Sequence, residues 1–248
     1  MRRTRTKAAP RLPHAHEGYL EETRRPLNCL LFILPLLLIF QIGTAVYGTP
    51  LLAPRDIHKL LSFFGATAPY LPPLLIILVL MLEHLFHKHP WRTRPMVFAG
   101  MAAESVLWSL PILALSSLTS LFAQLPAQAG DPGSAELLLQ RALLAVGAGI
   151  YEEFLFRLVI ISLVLLIFVD VFQLKKKPVT LSAVAVSAMA FSLYHFSVDQ
   201  LMNPLSLPGL VMLFYALAGA WLALLFVWRG YGIAVGAHIC YNLIVALG

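Results

Sequence analysis

Apolar residues in this chain run in blocks of about 17 to 25, separated by short polar stretches, and each block is long enough to cross a hydrocarbon core of ~30 Å as a helix. Of the 248 residues, 59% are hydrophobic and 12% charged, against roughly 25% charged in an ordinary soluble domain. A soluble globule would have too little polar surface. The pattern predicts an all-α fold, a polytopic transmembrane helical bundle of about seven spans, at residues 27–48, 70–87, 96–122, about 136–172, 179–197, 207–228 and 231–248. The clearly polar stretches are the first 26 residues and a few loops. The chain therefore divides into a basic tail, 1–26, and one integral membrane domain, 27–248. The first apolar block is too long for a signal-peptide core and lacks a clear small-residue cleavage site, so it reads as an uncleaved signal anchor.

The 18 Lys and Arg exceed the 12 Asp and Glu by six. The excess is concentrated near the start, where Arg2, Arg3, Arg5, Lys7, Arg11, Arg24 and Arg25 face Glu17, Glu21 and Glu22. A basic tail beside a span is what the positive-inside rule places in the cytoplasm, with attraction to anionic lipid as a second effect. It points to the lipid bilayer as partner and not to nucleic acid. With the N-terminus cytoplasmic in the cell membrane, the basic stretches around Lys88, Arg92 and Arg94, at Lys175–Lys177 and at Arg229 all fall on the same side. The outer loops then carry Arg55, Asp56 and Lys59, then Asp131, Glu136 and Arg141, then Asp199, with no basic excess. Residues 136–172 would make a helix of ~55 Å, so a break or a lying segment is expected near Gly147–Gly149. Pro35, Pro72, Pro73 and Pro111 should kink or end their helices. Cys29 and Cys240 stand alone in apolar segments and suggest neither disulfide nor metal motif.

A charge inside a span costs roughly 2.5–3.5 kcal/mol on insertion scales, so each one needs a partner or a task. The most expensive stretch is Glu152-Glu153-Phe154-Leu155-Phe156-Arg157. On a helix Glu153 and Arg157 are four apart and pair on one face, while Glu152 diverges from Glu153 by ~100°. Glu152 is left free as a base or a ligand; a helix-end ion pair at the membrane surface is the plainer reading. His195 follows Phe191 by one turn, near a span end where His and Tyr are ordinary. His238 and Asn242 lie four apart in the last block and aim at one spot, as interhelical polar packing would also require. Taken together, a carboxylate, two imidazoles and an amide are the kit for activating water and steadying a tetrahedral oxyanion. No GxSxG or HExxH pattern supports a serine or zincin mechanism.

These residues resemble the CAAX prenyl protease and bacteriocin-processing (CPBP, or ABI) family of intramembrane endopeptidases. Its three motifs occur in order: EExxxR at Glu152, Glu153 and Arg157, FxxxH at Phe191 and His195, and HxxxN at His238 and Asn242. The likeness covers about residues 136–248. It implies an endopeptidase acting on membrane-associated proteins or peptides, in which Glu152 and His195 activate water and His238 with Asn242 hold the oxyanion. Glu153, Arg157 and Phe191 would support the site. Family members are described both as glutamate-type and as metal-dependent enzymes. The expectation here is no cofactor, since Asn is a poor zinc ligand and a good oxyanion donor; a zinc set would be Glu152, His195 and His238. Span counting puts Glu152 and His195 in the outer half of the membrane, where a cytoplasmic prenylated substrate would have to reach them from the other side.

Two other classes use the same residues differently. A non-catalytic immunity or scaffolding protein would need them only to join helices, and a small proton-coupled transporter would titrate them. Elsewhere, Glu83, His84, His87 and His89 form a polar cluster at a span end, read as a snorkelling edge. Glu104 is a buried carboxylate without a sequence-local partner.

Overall fold

The computed structural model describes residues 18–47, 70–123, 135–202 and 208–247, and every regular element among them is helical. A short α1 (Tyr19–Glu22) leads into α2 (Pro26–Tyr47), followed by α3 (Leu71–Phe86), α4 (Pro95–Ala123) and α5 (Ala135–Val171). Then come α6 (Lys176–Tyr194), a short α7 (Val198–Met202), α8 (Gly209–Arg229) and α9 (Tyr231–Leu247). The seven long helices coincide with the seven apolar blocks to within a few residues. Five are long and apolar enough to cross a membrane, while α3 and α9 have 16 and 17 residues. The predicted outer-loop residues Arg55, Asp56, Lys59 and Asp131 lie outside the described residues.

The bundle is built around α9, which packs against α2, α4, α5 and α8. Each residue from Tyr231 to Ile239 is buried. Lipid tails are as apolar as leucine, so no hydrophobic force drives helices together in a membrane; close van der Waals approach does it, and small residues permit that approach. Gly232 accordingly lies against Cys29 and Met101, and Gly236 against Ser105. Large apolar side chains such as Leu38, Ile42, Leu107 and Leu181 remain on the outside, the surface lipid would cover.

The expected break near Gly147–Gly149 is absent. Helix α5 runs on through 37 residues, and the two glycines serve contact instead of bending. Gly147 lies against the Phe40 ring, and a Cβ on Gly149 would stand 3.1 Å from the Ile239 backbone nitrogen. The departure from regular α geometry comes later, where Phe154–Ile161 and Leu166–Val171 are π-helical. A π turn leaves backbone groups without their usual partners. Here the Ser187 hydroxyl of α6 donates to the Phe156 carbonyl at 2.7 Å. Pro35 and Pro111 sit inside α2 and α4, and Pro72 and Pro73 occupy the first turn of α3, where a missing N–H costs nothing.

Part of the stretch read as a tail is ordered. Arg94 donates to both carboxylate oxygens of Glu22 (3.0 and 2.6 Å), Arg25 reaches the Arg92 carbonyl (3.3 Å), and Arg24 reaches the Val227 carbonyl (2.7 Å). Gly230, with φ at +92°, makes the tight turn between α8 and α9 beneath Arg24. Thus residues 19–25, the stretch around 92–94 and the turn at 229–230 share one end of the bundle. Arg229 is not a loop cation: it is 2% exposed and grips Glu104 through two bonds of 2.8 and 2.7 Å. Glu104 also accepts from Trp108 at 3.2 Å, so its partners are one turn along its own helix and 125 residues away.

Candidate active site

The EExxxR stretch lies where α5 passes from α to π geometry, packed on α6, α8 and α9. Glu153 and Arg157 are both fully buried and pair at 2.9 Å, four residues apart as the sequence requires. Burying a guanidinium is costly unless further contacts support the pair. Its Nη2 donates to the Gly219 carbonyl of α8 at 3.1 Å, and its face covers the Phe191 ring at 4.5 Å. Phe191 is therefore a platform under the cation, and Arg157 ties α5, α6 and α8 together.

Glu153 has a second partner that sequence spacing does not reveal. Its Oε1 accepts from His238 Nδ1 at 2.8 Å. His238 is 5% exposed, and this bond fixes both its ring orientation and the site of its proton. Its Nε2 then faces Glu152 Oε2 at 3.8 Å. His195, at the C-terminal end of α6, is held in the same manner. Its Nδ1 donates to the Phe191 carbonyl at 2.8 Å, its ring stacks on Tyr215 with centroids 3.8 Å apart, and its Nε2 also stands 3.8 Å from Glu152 Oε2. Both imidazoles thus present an Nε2 to one carboxylate oxygen. At 3.8 Å neither is hydrogen-bonded to it directly, and an interposed water can reach all three groups.

These groups line a cavity of about 740 Å³. Asn242 lines it one turn beyond His238, with Nδ2 donating to the Ala145 carbonyl of α5 at 3.3 Å. The structure therefore gathers Glu152, His195, His238 and Asn242 around one space and sets Glu153, Arg157 and Phe191 behind them. Tyr215 and Tyr241 of the lining had no signal in the sequence, being tyrosines in otherwise apolar helices with no motif around their phenols. Arg141 was taken for a loop residue and in fact lines the cavity from the second turn of α5.

The donor set Glu152, His195 and His238 was tested as a zinc site. The outer imidazole nitrogens are fixed as second-shell partners of a metal site would fix them. Tetrahedral bonds of ~2.1 Å put neighbouring donors about 3.4 Å apart, against 3.8 Å from Glu152 Oε2 to each imidazole Nε2. Among the described residues no group of three His, Cys, Asp or Glu closes to a metal-binding arrangement. The span-end histidines are separate from the cavity: His87 bonds the Glu83 carbonyl of its own helix, and His84 lies edge-on to Trp91.

Residues 134–244 match the family described as type II CAAX prenyl endopeptidase Rce1-like. No curated protein and no solved structure matches the chain. The matched stretch contains all three motifs and the residues that pack behind them, and it agrees with the resemblance drawn from the motifs alone. The chain is an integral membrane protein whose residues 134–244 are similar to the Rce1-like family of type II CAAX prenyl endopeptidases.

Proposed function

We propose that the chain is an intramembrane endopeptidase of the glutamate type. One observation carries this reading: two imidazoles, each locked through Nδ1, turn their Nε2 atoms on the same oxygen of Glu152. A water among the three gives its proton to Glu152 while His195 Nε2 accepts its other O–H and aims the oxygen lone pair. The oxygen bonds to the scissile carbonyl carbon. The resulting oxyanion takes hydrogen bonds from the second Nδ2–H of Asn242 and from the Nε2–H of His238, which enters the cycle as an imidazolium paired with Glu153 and keeps both protons to its end. When the C–N bond breaks, the proton on Glu152 passes to the leaving nitrogen, the remaining hydroxyl proton passes through His195 Nε2 to water, and carboxylate and amine leave as products. Glu153 and Arg157 position His238 and the α5–α6–α8 junction and touch no reacting atom. Every group this needs is supplied by the chain, and no step is routed through a metal.

The substrate is a peptide segment of a membrane-associated protein, with the prenylated peptides named by the family as the first class to try. The basic end of the bundle is placed in the cytoplasm by the positive-inside rule. The outer part of the cavity, lined by Leu138, Arg141 and Leu247, belongs to the opposite end, so the site opens toward the outer half. The division into an N-terminal basic segment, 1–26, and a membrane domain, 27–248, is part of the same reading.

The test is cleavage by the purified protein in detergent. The probes are a prenylated peptide ending in cysteine, two aliphatic residues and a final residue, and a peptide mixture prepared from a whole proteome, read by mass spectrometry for new termini. Wild type should generate new termini from at least one probe, with or without a strong chelator, and Glu152→Gln should generate none. Identical termini from Glu152→Gln, or none from wild type with either probe, would overturn the peptidase. Loss with chelator and recovery with zinc would overturn the glutamate-type mechanism.

A further inference from the structure

We propose that Arg141 is a substrate-carboxylate receptor built into the cavity wall, an inference that rests on the peptidase reading above. The first observation is placement. Residues 138, 141, 145, 148 and 152 all line the cavity, and their spacing of three and four is one continuous stripe of α5. Arg141 and Glu152 are eleven residues apart, three full turns, so the guanidinium shares the face of the catalytic carboxylate about 16 Å along the axis. The second observation is charge. A guanidinium in a spanning helix is expensive and normally paired. Arg157 has Glu153 and Arg229 has Glu104, whereas Arg141 has no hydrogen bond or ion pair among the described residues. The lining otherwise carries one carboxylate, two imidazoles and two phenols, which makes Arg141 the single permanent cation of the cavity wall among the described residues.

A planar guanidinium with five donors fits a carboxylate through two parallel bonds, and a half-buried setting strengthens the pair relative to water. An extended peptide covers ~3.4 Å per residue. A substrate whose scissile carbonyl is at Glu152 therefore delivers its carboxylate to Arg141 about four to five residues away. Two sources supply that group, an acidic side chain or the free C-terminus of the substrate.

Binding and cleavage separate this claim from its parent. Glu152→Gln, with and without Arg141→Gln, is titrated with fluorescent peptides cut by the wild type, in three forms: free C-terminus, C-terminal amide, and amide with an internal glutamate four or five residues from the cleaved bond. If wild type cuts nothing, the same titration uses the prenylated probe lengthened to five residues after the cysteine, in those forms, with the cysteine bond taken as the scissile one. The carboxylate that Arg141 reads should tighten binding about tenfold or more over the neutral form. Arg141→Gln should bring that ratio close to one, and Arg141→Lys should retain part of it. The preference in wild-type cleavage should appear in KM. A free C-terminus alone giving the effect identifies the chain end as the source, and the internal glutamate alone identifies a side chain. Equal binding of all three forms, or a ratio that survives Arg141→Gln, would overturn the receptor. Absence of cleavage by wild type with a carboxylate-dependent ratio intact would overturn the peptidase and leave the receptor standing.

Discussion

At the residue scale the two adjacent carboxylates have different tasks, and mutation should separate them. Glu153 is shared by Arg157 at 2.9 Å and His238 at 2.8 Å with no exposure to water. Neutralising it strands a buried guanidinium, a change that costs about 3–5 kcal/mol when one partner of a buried pair is removed. Glu153→Gln should therefore lower the thermal unfolding temperature in detergent sharply and abolish cleavage as a consequence. Glu152→Gln removes a charge that no cation holds within bonding distance, so it should abolish cleavage and unfold close to the wild-type temperature. Equal losses of stability in the two variants would remove the distinction. The sequence shows half of this arrangement. The i,i+4 spacing of Glu153 and Arg157 is legible because a helix repeats every 3.6 residues. The Glu153–His238 bond spans 85 residues, and nothing local encodes which of two neighbouring carboxylates a distant histidine will choose. The Glu104–Arg229 pair was hidden for the same reason: Glu104 was visible as a charge without a partner, and Arg229 read as a cation of a cytoplasmic turn.

At the element scale, position along the chain was readable from apolar block length, and the interior of the blocks was not. The seven long helices fall where hydropathy places them. The glycines at 147 and 149 read equally well as a hinge or as a contact, because glycine permits both flexible backbone and close approach. The structure selects contact, and that has a consequence for the site. Gly149 faces Ile239, beside His238, and lies three residues before Glu152. A Cβ there meets the Ile239 backbone at 3.1 and 3.3 Å, which cannot turn aside as a side chain would. Gly149→Ala should force α5 and α9 apart and cost about 1–3 kcal/mol, as overpacking does. Because Glu152 and His238 ride on those two helices, cleavage should fall further than stability, on the order of 100-fold for a displacement near 1 Å. Unfolding temperature and kcat/KM measured on one preparation check both parts; wild-type values for both would show that the contact is not tight. The π turn is a second test at this scale. Ser187→Ala removes the hydroxyl that donates to the Phe156 carbonyl, and the loss should be about 0.6 kcal/mol and at most about 1.7, the average and maximum for interhelical hydrogen bonds in a membrane protein, read by the same unfolding assay.

At the scale of the whole molecule, the question is which side of the membrane the cavity serves. Residues 19–25 hold the basic end together through Glu22–Arg94, Arg25–Arg92 and Arg24–Val227 contacts, so the ends of α2, α3, α4, α8 and α9 there share one side of the bilayer. His195 ends α6 at the other side, and Asp199 follows it in α7. The positive-inside rule predicts the sign, because a reversed molecule would carry Arg24, Lys88, Arg92 and Lys175–Lys177 across the membrane. Cysteine labelling in intact cells measures it. In a Cys240→Ala background, with Cys29 buried at 1% exposure, a cysteine at the exposed position 88 should react with an impermeant maleimide only after the cells are opened, and one at the exposed position 199 should react in intact cells. The reverse pattern would invert the molecule and set the cavity toward the cytoplasm. That result would bring the cavity within direct reach of cytosolic prenylated tails. The expected pattern instead directs the search for substrates to segments entering from the outer leaflet, because a peptide in the cavity approaches from the side where α6 ends.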